Sequence, residues 1–144
     1  MREVRERELA DRLHSAAIHL LRRARRGDPL TGATPAQLSA LSVLMSGPQT
    51  LGDLAAAEQV RAPTISRLAA EMERIGLIRR RDDPDDGRVV RVEMTAKGKR
   101  TLGRGRDLRI AEIERRVRRL DPREMTLLAE AVGIVEGMLR DERR

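Results

Sequence analysis

The spacing of apolar residues predicts a chain made mainly of helices, interrupted once by a short alternating stretch. Leu9, Leu13, Ala16, Ala17, Leu20 and Ala24 recur at steps of three and four, which predicts an amphipathic helix over residues 2–26. Gly27-Asp28-Pro29 should stop it. Thr34 and Pro35 predict a second helix, with Thr34 as cap and Pro35 in the first helical position. Leu38, Leu41, Leu44 and Met45 form its apolar face, and Gly47-Pro48 its end. Thr50 opens a short third helix through Leu51, Leu54, Ala55 and Ala56. A fourth starts at Pro63, carries Ile65, Leu68, Ala69 and Met72 on one face, and closes at Gly76.

From Leu77 the period changes. Residues 77–81 read as a strand, 82–87 as a turn-rich acidic loop, and Val90, Val92 and Met94 alternate within 89–94. The Asp86-Gly87 pair between the two runs predicts a β-hairpin. Thr95 begins a long helical region to Leu120, its early turns weakened by Gly98, Gly103 and Gly105. Asp121 and Glu124 form a capping-box start for a last helix. Its Met125, Leu128, Val132, Val135 and Leu139 are spaced three, four, three and four, a coiled-coil-like seam suited to an interface. The expected fold is therefore mainly α with a small antiparallel β-hairpin wing, in the order α-α-α-α-β-β-α-α. Short helix, turn, helix and hairpin make a winged helix-turn-helix, whose second helix enters the major groove of DNA.

Composition sharpens this picture. The 144 residues carry a formal net charge of +7, which points to a polyanion, nucleic acid before an anionic membrane. Lys97 and Lys99 are the only lysines among 30 basic residues, and arginine suits bidentate contacts to phosphate and guanine. There is no cysteine, so disulfides, thiolate metal sites and thiol redox switches are excluded. No run approaches the ~18 apolar residues of a membrane span, and MREVREREL has no secretory apolar core, so a cytoplasmic protein is expected. Phe, Tyr and Trp are absent altogether. Aromatic residues usually dominate cores, burying roughly 150–250 Å² each, so a second subunit is expected to complete the burial here. Their absence also argues against base stacking on single strands and RRM-type RNA recognition, leaving duplex DNA as the better partner.

Candidate chemistry is correspondingly narrow. Arg61, Thr64, Ser66 and Arg67 cluster at the N-terminal end of the fourth helix, where hydroxyls and the helix terminus suit phosphate and arginine suits a guanine edge. Arg67 can read a base or hold a phosphate. Arg74 and Arg81 are further phosphate candidates; Arg79, Arg80 and Arg81 share one strand, so not all three can face DNA. Arg88, just after the turn, can enter a minor groove, whereas Asp82, Asp83 and Asp85 nearby would repel phosphate. His14 and His19, five apart, share no helix face, so no metal is expected. No phosphate-binding glycine loop, nucleophile elbow or spaced carboxylate–histidine pattern is present, and neither an enzyme nor a cofactor is expected.

Residues 50–100 contain L-x-x-L-A, T-x-S-R-L, G-L-I-x-R and the contiguous D-P-D-D-G-R-x-x-x-V-x-M-T-x-K-G. On these motifs the chain resembles the MarR (multiple antibiotic resistance regulator) family. The resemblance implies a homodimeric, sequence-specific regulator of transcription, a repressor by expectation, whose two lobes meet a pseudo-palindromic operator in double-stranded DNA. It implies a lobe over 31–100 and dimerisation helices over 1–30 and 101–144. Arg88 matches the family's wing arginine and Asp86 the acid that holds it; Gly87 departs from the pattern, many members carrying another arginine there. A small anionic or phenolic effector would bind between lobe and dimer helices, near Leu13, His14, Ala17, Leu41 and Met45. His14 has a plain packing or surface role as the alternative. Two other readings stay open: an architectural protein that binds DNA without sequence preference, and a winged-helix module for protein partners.

Overall fold

The computed structural model describes residues 2–141. Helix α1 (Arg2–Ala24) leads into a 3-10 helix (Arg25–Thr31), followed by α2 (Pro35–Leu44), strand β1 (Gln49–Thr50), α3 (Leu51–Glu58) and α4 (Ala62–Arg74). Strands β2 (Ile78–Asp82) and β3 (Val90–Met94) come next, then α5 (Ala96–Val117) and α6 (Pro122–Asp141). Every predicted helix is present. The hairpin is part of a three-stranded antiparallel sheet in the order β1-β3-β2, because Gln49 and Thr50 pair with Val92 and Arg91. Strand β1 has no counterpart in the sequence pattern, since two residues are too few for a periodicity signal.

Local signals explain most boundaries. Thr34 and Gln37 form a reciprocal capping box, Thr34 N–H to Gln37 Oε1 at 2.9 Å and Gln37 N–H to Thr34 Oγ1 at 3.2 Å. Asp121 and Glu124 do the same before α6, at 3.0 and 2.8 Å. The α-helix ends at Ala24, ahead of Gly27-Asp28-Pro29, and these residues lie in a 3-10 helix that Gly32, at φ +77°, ends. Asp28 there is fully buried.

One core binds α2, α3, α4 and the sheet. Leu38, Leu41 and Leu44 from α2 meet Leu54, Ile65, Ala69, Met72, Leu77, Ile78 and Val92. Met45 departs from the expected apolar face: it lies past the last turn of α2 and is 70% exposed. Leu68 is only partly buried beside that core. The glycines of α5 fit the packing. A Cβ on Gly98 would overlap the Leu77 carbonyl oxygen and come within 2.8 Å of Met94 Cγ, so only glycine lets α5 start this close to the wing. Gly105 lies over Leu38. Helix α5 is unbroken through residues 100 and 101, so the expected border between lobe and dimerisation region falls inside a helix. No helix among the described residues is long and apolar enough to cross a membrane.

Candidate nucleic-acid interface

Helices α3 and α4 meet through a turn that the sequence specifies by its caps. Gln59 adopts the left-handed conformation (φ 54°, ψ 42°), and its N–H and that of Val60 donate to Ala56 O and Ala55 O at 3.2 and 3.0 Å. This double closure satisfies the terminal carbonyls of α3 and aims the chain into α4. Arg61 caps α4 with its backbone carbonyl, which accepts from Thr64 and Ile65 N–H at 3.0 and 3.1 Å. Ile65, Ala69 and Met72 anchor the inner face, leaving Arg61, Thr64, Ser66, Arg67 and Arg74 exposed outside.

Among the described residues the arginines of this lobe fall into two groups. Arg61 and Arg67 have no carboxylate partner. Arg74 is held by Glu71 through two bonds of 2.8 and 2.5 Å, Arg80 by Glu73 at 2.8 Å, and Glu93 is shared by Arg79 at 2.5 Å and Arg81 at 3.4 Å. Hydrogen bonds from Arg74 hold the Glu71 carboxyl below its ordinary range, and Arg79 with Arg81 does the same to Glu93. The expected phosphate contacts Arg74 and Arg81 therefore carry acids with them, an arrangement that spacing along one strand or helix does not reveal. In each pair at least the arginine is exposed, and such pairs are weak and readily exchanged for phosphate.

The wing differs from a two-residue hairpin. Its strands end at Asp82 and Val90, and residues 83–89 form a longer loop. The loop is closed by Asp83 N–H to Val89 O and Val89 N–H to Asp86 O, both 2.9 Å. Asp86 Oδ1 accepts from Arg88 N–H at 3.0 Å and from Arg88 Nε at 3.2 Å, leaving the Arg88 side chain 92% exposed at the tip. Asp83, expected to repel phosphate, is instead tucked in. Its side chain is 8% exposed and pairs with Arg91, and the Arg91 hydrogen bond followed by the Asp85 N–H holds its carboxyl below the ordinary range. The root is fixed by the T-x-K-G residues: Thr95 Oγ1 donates to Gly76 O at 2.6 Å, Lys97 Nζ donates to Ile75 O at 2.6 Å, and Gly98 makes the close approach.

The expected effector residues do not form one site. Leu41 is fully buried in the core. Leu13 and Ala17 lie exposed on α1, and His14 borders a separate recess along that helix with Val4, Arg7 and Asp11. Met45 does line a cavity of about 410 Å³ between α2 and α5, together with Leu38, Ser42, Arg106, Arg109, Ile110 and Ile113. Arg109 there makes a bidentate pair with buried Asp28, at 2.9 and 2.7 Å. Separated by 81 positions, those two residues give no local signal.

A helix pair joined by a tight turn, with the second helix exposing two unpaired arginines beside a projecting hairpin, defines a winged helix-turn-helix lobe. A family model for the MarR family matches residues 33–90. The HTH-type transcriptional regulator Mb0904 of Mycobacterium bovis is 31% identical over 132 residues, 91% of this chain and 92% of its own. A MarR family protein from Bacillus stearothermophilus superposes with a TM-score of 0.78 at 26% identity, covering 97% of this chain and 99% of that one. A mutant of Staphylococcus aureus MepR bound to an oligodeoxyribonucleotide has the same fold, with a TM-score of 0.70 at 21% identity over 91% of this chain and 97% of that one. The chain belongs to the MarR family of transcriptional regulators and is a DNA-binding protein of that class.

Proposed function

We propose that this protein works in the cytoplasm as a homodimeric repressor of a pseudo-palindromic operator, released when a small anionic or phenolic ligand binds. The observation that carries the DNA contact is the pair of unpartnered cations, Arg61 and Arg67, at the N-terminal end of a helix anchored from behind. Thr64, Ser66 and Arg67 meet the major groove, Arg88 the minor groove with Asp86 holding it, and Arg61, Arg74 and Arg81 the phosphates. The DNA-bound MepR relative supports the same use of this fold.

The dimer is supported by apolar surface that one chain leaves uncovered. Met125, Leu128, Val132 and Leu139 of α6 are 39–62% exposed, and Leu9 and Leu13 of α1 are 65% and 40% exposed. Residues 1–30 and 101–144 form the dimer region and 31–100 the lobe. Continuous α5 then couples lobe position to the interface. Engaging successive major grooves requires recognition helices roughly 34–36 Å apart, and a ligand lowers affinity only by preferring another spacing. The cavity between α2 and α5 suits such a ligand, with aliphatic walls and Arg106 among its lining residues, the Arg109 charge being taken up by Asp28.

Sedimentation of the purified chain tests the dimer. Fluorescence anisotropy tests specificity, comparing intergenic DNA upstream of its own coding sequence with a scrambled duplex at fixed salt. A preference of about a thousandfold or more is expected, and it should be reduced in Arg67→Ala. Equal affinity for both duplexes would replace the repressor by an architectural protein.

A further inference from the structure

Between the wing's strands and its exposed tip runs a continuous set of polar contacts. Arg91 lies on β3, flanked by β1 and β2, where it is opposite Thr50 and Arg81. Its Nε donates to Asp83 Oδ2. The other oxygen of the same carboxylate accepts the backbone N–H groups of Asp85 at 2.8 Å and Asp86 at 3.2 Å. Asp86 in turn grips Arg88 through its backbone N–H and guanidinium. Each link fixes the next: the sheet fixes Arg91, Arg91 fixes the Asp83 carboxylate, and that carboxylate fixes the backbone from which Asp86 and Arg88 project.

We infer that Asp83 and Arg91 are positioning residues for DNA recognition, a latch through which the sheet presents Arg88 to the minor groove. This rests on the reading that Arg88 touches DNA. Without the latch, residues 84–88 keep only the Val89 hydrogen bonds and the local Asp86–Arg88 contacts, none of which ties them to the sheet through a side chain, and they must be ordered at the moment of binding. The Nε–H of Arg91 is given to a carboxylate that is 8% exposed, so Arg91 acts on the loop rather than on DNA in this arrangement.

The test is a thermodynamic cycle of operator affinity with the full-length protein, using the upstream intergenic duplex and a scrambled one. Asp83→Ala and Arg91→Ala should each weaken specific binding about two- to tenfold, the cost of ordering one interface side chain. In the Arg88→Ala background neither should weaken it further, since the latch acts only through Arg88. Asp83→Asn keeps an oxygen for the Asp85 and Asp86 N–H groups and should recover part of the loss, as should Arg91→Lys by retaining the charge. These two conservative variants also serve if the alanine variants unfold. If Arg88→Ala costs affinity while all four latch variants leave it unchanged, the latch is overturned and the wing contact stands. If Arg91→Ala still weakens binding in the Arg88→Ala background, with the salt slope reduced by about one, Arg91 contacts phosphate directly and the latch is overturned. If Arg88→Ala itself costs nothing, the wing contact fails and the latch with it.

Discussion

Arg109→Met should expose how firmly α5 is tied to the 3-10 helix. In the native fold Asp28 is fully buried, and both its oxygens accept from Arg109, Oδ1 from Nε at 2.9 Å and Oδ2 from Nη2 at 2.7 Å. Removing the guanidinium leaves a carboxylate without its counter-ion and out of water. Losing one partner of a buried pair costs about 3–5 kcal/mol. The Arg109 side chain is 24% exposed, so water reaches one side and the lower end, about 3 kcal/mol, applies. An unfolding entropy near 2.1 cal/mol/K per residue gives about 0.3 kcal/mol/K for 144 residues, and so a Tm lowered by about 10 °C. Urea unfolding followed by circular dichroism, at one fixed protomer concentration, measures the loss directly. The paired replacement Asp28→Leu with Arg109→Met removes both charges and should regain most of the stability. A single variant that loses under about 1 kcal/mol, or a double variant no more stable than the single, would show that the pair does not hold α5 in this way.

Gly98→Ala places a methyl group against the Leu77 carbonyl and should cost about 1–3 kcal/mol, whereas Gly105→Ala, whose Cβ would lie 3.4 Å from a Leu38 methyl, should be far milder; paired thermal melts compare them. Arg67→Ala should reduce operator affinity by about 1–3 kcal/mol in the anisotropy assay, and Arg74→Ala by less, because Arg74 must first release Glu71. Acid should destabilise the wing and the outer face of α4. Asp83, Glu71 and Glu93 have folded pKa values depressed by their arginines, so the stability they contribute is present above the unfolded carboxylate range. It is lost as pH falls through the lower folded values, and Asp83→Asn should flatten a Tm profile recorded from about pH 6 down to about pH 3.

Much of the architecture is legible in the order of residues because its signals are local. Thr34 and Asp121 make the capping bonds expected of them, and Thr50 and Thr95, where the pattern opens helices, cap theirs as well, each within three residues. The inner face of α4 follows from helical spacing, with Ile65, Ala69 and Met72 buried as predicted and Leu68 nearer the edge. The exposed row Arg61, Thr64, Ser66 and Arg67 is the complement of that face. Where chain-distant residues meet, local pattern carries no information. Spacing does not tell Arg67, which is unpaired, from Arg74, which Glu71 holds, until rotamers are known. Nor can it place Asp83 beneath the wing, join Asp28 to Arg109, or make Gly98 a contact point with Leu77. Residue order alone sets which helices form and which of their faces turn inward, since both depend on neighbours within a turn or two. Which charges remain free to meet DNA is set by long-range packing, because it depends on the carboxylates that the fold brings within reach of each arginine.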